Sequence, residues 1–362
     1  MKKVALKIAY IGTNFHGFQR QPNHRTVEGE MIYTLKKLGY IDDLADAKFQ
    51  IAARTDKGVH SLGNVISFMS DREIIVNQIN QKLPDDIQII AKAPVRYGFK
   101  ARYAQCKHYR YTFFEKNLNI QLLNELAKLF EGRHDFTNFS KRKENQKSTI
   151  RTIDRIDVMS PRDKNLNLQY KKLDETFVNN KYSQKSEDSK YLKHSPRYTS
   201  DLEDSDDFLE TNYVGELKSI GRFNENFENV IFNEDSYSPI FVDVYGESFL
   251  WNMIRKMMRI FLFVGKEEME LETAEDMLNP DQKYNIKPLN PENLILMDIQ
   301  YNGIKFQYDD YALEGFKRTL VKNLFDYKIK LSLENSLLNS MESLKSNIFY
   351  EKNYKNDNIN NK

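Results

Sequence analysis

The stretch FQIAARTDKGVHSLGNVISFM, residues 49–69, contains two apolar runs on either side of a polar segment. Phe49–Ala53 and Asn64–Met69 have the composition of β-strands, and the charged, glycine-containing residues between them predict a loop. The surrounding sequence predicts further elements, namely strands over 3–10 and 87–93 and helices over 27–38 and 74–82. The resulting order, β-α-β-β-α-β, is that of the ferredoxin-like unit.

The chain beyond Ala101 repeats the same order of predicted elements. These are strands over 108–114, 150–159, 240–246 and 294–301, and helices over 122–130 and 253–264. We therefore predict an α+β fold in which two ferredoxin-like (RRM-like) subdomains share a mainly antiparallel central sheet with a cleft between them. The predicted boundaries are 1–100, 101–330 with a flexible, Ser- and Asp-rich insertion over 171–229, and 331–362 for a partly disordered C-terminal extension containing a short helix.

The composition predicts a soluble, cytoplasmic protein. Hydrophobic residues make up 40% and charged residues 29% of the 362 residues, as in globular proteins. The single cysteine, Cys106, excludes an intramolecular disulfide and a cysteine-based zinc site, and it fits a reducing compartment. The longest strongly apolar run, Ile260–Val264, is far shorter than the roughly 20 residues needed to cross a bilayer, so no membrane association is predicted. HExxH, CxxC, Walker and GxGxxG motifs are absent from the sequence, which therefore predicts neither a metal nor a cofactor.

Charge is unevenly distributed along the chain, although the net charge is only +2. Residues 96–155 contain 14 Lys and Arg against 6 Asp and Glu, whereas residues 171–229 contain 9 against 13. A basic segment of this kind is typical of proteins that bind a phosphate backbone. A solvated basic face explains the same pattern equally well.

Asp56 is the candidate for chemistry in the predicted loop. The loop has no second carboxylate, so paired-carboxylate acid–base catalysis is not indicated. Arg54 and Lys57 lie close in sequence, and nearby cations favour the ionised form of an aspartate. An ionised carboxylate in a cleft can act as a nucleophile. The alternative is a structural turn in which Asp56 bonds its own backbone and Gly58 supplies the bend.

Tyr109 and Arg255 are further candidates. Tyr109 lies in the alternating aromatic run HYRYTFF, residues 108–114, and could stack on a base or pack into the core. Arg255 lies near the start of an otherwise apolar helix. An inward-pointing arginine there requires a carboxylate partner, and Asp56 is the candidate; the alternative is a side chain whose charged end reaches water.

Together these segments resemble the TruA-type family of tRNA pseudouridine synthases, in an archaeal-like form. AARTDKGVHSLGNVISF resembles the active-site motif of the family, KHYRYTFF its tyrosine motif, and FLWNMIRKMMRIFLFVG its arginine-bearing helix. The resemblance covers nearly the whole chain except the insertion and the tail. It implies that Asp56 is the nucleophile, with Arg54 as its neighbouring partner. It also implies that Tyr109 is the active-site tyrosine and that Arg255 pairs with the aspartate.

The resemblance further implies that the enzyme isomerises uridine to pseudouridine in the anticodon stem-loop of tRNA, as a homodimer and without a cofactor or metal. Whether the aspartate attacks C1′ of the ribose or C6 of the base stays open. Other basic or polar positions are candidate RNA contacts: Arg20, Lys57, His60, Arg102, Arg110, Arg142 and Arg151.

Two other functions remain open from the sequence. A noncatalytic RNA-binding protein made of two ferredoxin-like units would explain the basic segment and the aromatic strand, but not an aspartate among cations. A pseudouridine synthase acting on a different RNA would explain all of these features.

Overall fold

The computed structural model describes residues 1–140, 148–160 and 238–359. The chain divides into two compact units, one formed by residues 1–102 and 303–362 and the other by residues 103–302. We refer to them as the first unit and the second unit.

The first unit has the predicted order β-α-β-β-α-β. Its elements are β1 (Lys2–Tyr10), α1 (Val27–Lys37), β2 (Gln50–Ile51), β3 (His60–Ser70), α2 (Val76–Asn80) and β4 (Ile87–Pro94). The strands pair antiparallel in the order β4-β1-β3-β2. This is the strand order of a ferredoxin-like sheet, because α1 and α2 each connect strands that are separated by one neighbour.

Local sequence determines where α1 begins and ends. Thr26 precedes the helix, and its Oγ1 accepts a hydrogen bond from the Gly29 backbone N–H at 3.3 Å, which satisfies one free donor of the first turn. Gly39 follows the helix with φ +69°, a left-handed conformation that glycine adopts without strain. The apolar face of α1, including Met31 and Leu35, is fully buried against the sheet residues Ile8 and Phe68.

The second unit repeats this arrangement. Its elements are β5 (Cys106–Glu115), α3 (Ile120–Phe130), β6 (Gly132–Asp135), β7 (Ile150–Ile153), β8 (Arg155–Met159), β9 (Ser238–Gly246), α4 (Met253–Gly265), α5 (Leu271–Asp276) and β10 (Leu294–Gln300). Four strands pair antiparallel in the order β10-β5-β9-β8, and β6 pairs with β7 separately. The α+β class and the mainly antiparallel pairing are therefore confirmed.

The single strand predicted over 150–159 is wrong in one respect, because the structure contains two strands there. β7 pairs with β6, whereas β8 pairs with β9. The break falls at Asp154, whose backbone N–H donates to the Tyr245 carbonyl at 2.8 Å. The chain changes partner at this residue.

The C-terminal region differs from the prediction. A short strand, β11 (Gln307–Tyr308), pairs with β4, and one helix, α6 (Asp310–Ile359), extends over 50 residues where the sequence predicted only a short helix. Ala312 and Phe316 near the start of α6 are buried, at 0% and 5% exposure. Because of these contacts residues 303–330, assigned from sequence to the second subdomain, belong to the first unit.

The predicted insertion over 171–229 lies outside the described residues. Within the part of the chain that the structure describes, no helix is both long and apolar enough to cross a membrane.

Candidate active site

Asp56 lies on a tight turn in the loop 52–59, which connects β2 to β3. The backbone N–H of Val59 donates to the Asp56 carbonyl at 3.2 Å, and Gly58 has φ +84° at the third position of this turn. A positive φ at the third position is typical of a type II turn and favours glycine. Asp56 is half-buried and Lys57, at the second position, is exposed. The turn therefore leaves the aspartate partly accessible to a substrate.

A buried network of neutral side chains joins this loop to strands β1 and β3. The Tyr10 hydroxyl hydrogen-bonds to Thr55 Oγ1 at 2.8 Å. The Asn64 amide donates to the Tyr10 oxygen at 3.2 Å and to the Ala53 carbonyl at 3.0 Å. Burial raises the pKa of Tyr10 to about 12 despite these hydrogen bonds, so the hydroxyl stays protonated at neutral pH. These hydrogen bonds thus fix the residues before Asp56 through neutral side chains.

The segment 12–18 holds the loop from a second direction. Phe18 N–H donates to the Thr55 carbonyl at 3.0 Å, and Gly58 N–H donates to the Phe15 carbonyl at 3.4 Å. Gly12 lies so close to the turn that a Cβ built on it would come within 2.2 Å of the Val59 carbonyl oxygen. Only glycine fits at Gly12 without a shift of one of the two loops.

His60, a predicted RNA contact, takes part in this bracing. Its Nδ1 accepts a hydrogen bond from the Gly12 backbone N–H at 3.1 Å. A nitrogen that accepts carries no proton, so the neutral ring is protonated on Nε2. Neither this role of His60 nor those of Tyr10 and Asn64 was predicted from the sequence.

Arg54 and Arg102, predicted as a catalytic partner and an RNA contact, line the same cavity. Its volume is about 380 Å³, and it lies within the first unit. Its other lining residues are Gln19, Glu28, Phe49, Gln50, Ile51 and Lys100. Arg54 is exposed and makes no hydrogen bond or ion pair with the described residues. Arg20 is exposed beside the cavity, and its backbone N–H donates to Glu28 Oε2 at 2.7 Å.

Tyr109 is half-buried on β5, whereas Tyr111 and Phe113 on the same face of the strand are buried. The Tyr109 ring meets Phe249 edge to face, with centroids 5.4 Å apart. This contact limits the orientations of the ring while part of its surface stays accessible. The ring thus packs against Phe249 within the protein, and its stacking on a base stays a prediction.

Arg110, the next residue, forms a buried ion pair. Its Nε and Nη2 each donate to one carboxylate oxygen of Asp243 at 2.7 Å, and Asp243 is 2% exposed. The Nε2 of His108 lies 3.1 Å from the same carboxylate. Burial raises the pKa of Asp243, but the hydrogen bonds of Arg110 and His108 outweigh it, so the pKa lies below its ordinary value. Two donors of Arg110 are therefore used inside the protein, and its contact with RNA stays a prediction.

Arg255 is held in a defined orientation at the start of α4. Its Nε donates to the Leu289 carbonyl at 2.7 Å, and its Nη1 donates to Asn252 Oδ1 at 3.1 Å. Asn252 precedes the helix in a left-handed conformation with φ +63°. Asp56 belongs to the first unit and Arg255 to the second, and their pairing stays a prediction.

The last two predicted contacts lie elsewhere in the chain. Arg151 on β7 donates from Nη1 to the Ile150 carbonyl at 2.6 Å and to the Ser148 carbonyl at 3.2 Å, and burial lowers its pKa. Arg142 lies outside the described residues.

Comparison with known proteins supports one family throughout. The family model described as tRNA pseudouridine synthase matches residues 7–104 and 126–302. The chain is 50% identical over 347 residues to tRNA pseudouridine synthase A of Methanobrevibacter smithii, covering 95% of this chain and 99% of that protein. It is 36% identical over 330 residues to the protein of the same name from Methanothermobacter thermautotrophicus, covering 91% and 92%. With Thermococcus sibiricus tRNA pseudouridine synthase A the identity is 33% over 341 residues, covering 94% and 100%. The chain therefore belongs to the TruA-type family of tRNA pseudouridine synthases and is an isomerase.

Proposed function

We propose that this enzyme converts uridine to pseudouridine in the anticodon stem-loop of tRNA, with Asp56 as the nucleophile. The observation that carries the proposal is the support of the Asp56 turn. Thr55 on one side and Val59 on the other are buried, and the loop is hydrogen-bonded to β1, β3 and the segment 12–18. Holding a reacting group in place supplies part of the barrier reduction, so a fixed loop with one half-exposed carboxylate suits a nucleophile.

The reaction breaks the N1–C1′ bond of uridine and forms a C5–C1′ bond, while C5 loses a proton and N1 gains one. Because the product is an isomer of the substrate, the chemistry needs no oxidant, reductant or group donor. The Asp56 carboxylate begins it by attacking the nucleotide, and both routes, through C1′ and through C6, require the same ionised oxygen. Arg54 and Lys57, both exposed, lie within two residues of Asp56 in the same loop.

Arg255 and Tyr109 complete the proposed site. Arg255, held by Leu289 and Asn252, pairs with the Asp56 carboxylate and orients it. Tyr109 stacks its accessible face on the uracil. A target uridine in a stem must first leave the stack at a cost of a few kcal/mol, which phosphate contacts from the basic residues help to offset. The family resemblance also supports a homodimer in the cytoplasm.

The test is to incubate the protein with an unmodified tRNA transcript and to map pseudouridine at single-nucleotide resolution. We expect the wild type to modify the anticodon stem-loop, and Asp56→Ala and the isosteric Asp56→Asn to leave it unmodified while they still bind tRNA. An active Asp56→Ala variant would exclude the nucleophile role. Modification only at positions outside the stem-loop, or only in another RNA, would retain the reaction but overturn the proposed target.

A further inference from the structure

We propose that the cavity lined by Arg54, Lys100 and Arg102 binds a nucleotide of the substrate RNA other than the uridine that reacts. The inference rests on the proposed function only for the identity of the RNA. Asp56 is not among the described residues that line the cavity. Arg54, two residues before Asp56, lies in the loop that carries the nucleophile.

The charge of the lining favours a phosphate. Three cations line the cavity against one carboxylate, that of Glu28. Glu28 Oε2 already accepts a hydrogen bond from the Arg20 backbone N–H at 2.7 Å and lies 3.9 Å from Arg20 Nε. The one carboxylate among the described lining residues is thus partly balanced by Arg20, which is not among them. Guanidinium groups bind phosphate through paired donors, and Arg54 has all of its donors available among the described residues.

A hydrogen bond between two of the segments that line the cavity fixes its shape. The backbone N–H of Ala101 donates to Gln50 Oε1 at 3.2 Å. This bond joins the segment that carries Lys100 and Arg102 to strand β2. It also fixes the Gln50 side chain, so that its amide NH₂ group, which no described residue accepts from, is left to donate to a ligand.

The remaining lining residues suit a base. Phe49 is half-buried, with its ring stacked against Phe68 at a centroid distance of 6.3 Å, and it contributes an aromatic wall. Gln19 and Gln50 place amide groups beside it. Unstacked RNA bases are recognised by aromatic contacts together with hydrogen bonds to their edges. A volume of about 380 Å³ suits one nucleotide rather than a duplex.

Three variants that each lower the net charge by one test the proposal. Lys100→Ala removes a cation from the cavity. Gln50→Glu keeps the acceptor for Ala101 but replaces the NH₂ donor with a carboxylate oxygen. Lys82→Ala, an exposed lysine of the same unit outside the cavity, is the matched control. Each is measured as the Kd for full-length tRNA transcript in the Asp56→Ala background at several salt concentrations, and as kcat and KM in the wild-type background.

We expect Lys100→Ala and Gln50→Glu to raise Kd and KM about tenfold with kcat within about twofold, and Lys100→Ala to reduce the salt slope by about one. Lys82→Ala should change Kd by less than about twofold, because Lys82 is exposed and does not line the cavity. If the cavity variants match Lys82→Ala, the cavity does not bind RNA. If kcat falls while Kd is unchanged, the cavity acts on the chemistry and the proposal is wrong. If the wild-type protein forms no pseudouridine but the cavity variants still weaken tRNA binding, the proposed function is wrong and this inference stands.

Discussion

The two units share one strand order but use it differently. In the first unit the connection between the second and third strands is the loop 52–59, which carries Asp56. In the second unit the corresponding connection, between β8 and β9, spans residues 160–237. The short connection can be held by hydrogen bonds to its own sheet, and this is where the proposed nucleophile lies. One topology thus provides both a rigid loop and a point of insertion.

The two polar networks described above also differ in charge. The first unit fixes its loop with the neutral side chains of Tyr10, Thr55 and Asn64. The second unit buries a charge, Asp243, and compensates it with Arg110. The network of the first unit thus holds the Asp56 loop through neutral side chains, whereas the network of the second unit is an ion pair. The following predictions compare how much the neutral network of the first unit and the ion pair of the second unit contribute to stability and activity.

The largest effect is expected from Arg110→Met in the second unit. The substitution leaves the Asp243 carboxylate buried without its two-point partner, which should lower the free energy of unfolding by about 3–5 kcal/mol. Urea denaturation measures it. The double variant Arg110→Met/Asp243→Leu should recover most of the loss, because it removes both charges. A single variant that unfolds at the wild-type urea concentration would show that the ion pair does not stabilise the second unit.

A smaller loss of stability, combined with a loss of activity, is expected from Gly12→Ala in the first unit. The new Cβ would meet the Val59 carbonyl at 2.2 Å, so the loops must separate, at about 1–3 kcal/mol. Displacing the Asp56 turn should also lower kcat by about tenfold or more. Gly98→Ala is the control, since a Cβ there has no neighbour within 4 Å. Equal turnover of both variants would show that the contact does not position Asp56.

Tyr10→Phe should cost about 1–3 kcal/mol, because it deprives buried Thr55 and Asn64 of a shared partner. Since Thr55 precedes the Asp56 turn and Asn64 donates to the Ala53 carbonyl of the same loop, kcat should fall while KM for tRNA stays close to the wild-type value. Tyr111→Phe makes the same chemical change in the second unit, where the hydroxyl donates to the Asn290 carbonyl at 3.2 Å and to no other described residue. It should cost less, about 1 kcal/mol. A larger loss of stability from Tyr111→Phe than from Tyr10→Phe would reverse the ranking of the two networks.

The smallest effect concerns pH. The pKa of Asp243 is lowered in the folded protein, so its stabilising contribution is fully present above its ordinary value of 3.8. The contribution is lost as the pH falls through the lowered folded pKa. Free energies of unfolding from urea denaturation, measured from pH 7 down to pH 3, should therefore decline more steeply for the wild type than for Arg110→Met/Asp243→Leu, by up to about 1.4 kcal/mol per pH unit. Parallel curves would show that Asp243 does not contribute to the acid sensitivity.

The local parts of this structure could be predicted from the sequence. Alternating apolar residues and glycines located both ferredoxin-like units and the loop that carries Asp56, because strands and turns depend on neighbouring residues. The partners of the buried polar groups could not be predicted. Arg110 and Asp243 lie 133 positions apart and face each other only through the register of β5 and β9. Likewise Tyr10 and Asn64 look like ordinary strand residues until β1 and β3 are paired.

The long helix α6 shows a different limit. Its Asn- and Ser-rich sequence after Asn335 argues against a helix, yet the helix continues from the buried start at Ala312 and Phe316. Once a helix has begun, adding a residue costs much less free energy than forming the first turn did. Composition alone therefore underestimated its length.

The contact between Gly12 and Val59 has a consequence for anyone who wishes to transplant this chemistry. The loop 52–59 is not a portable module, because its shape depends on the segment 12–18, on the hydroxyl of Tyr10 and on the amide of Asn64. A scaffold into which RTDKGVH alone is inserted would contain the residues of the motif without the contacts that give the loop its shape. The smallest piece that could be moved intact is the strand pair β1 and β3 together with both loops.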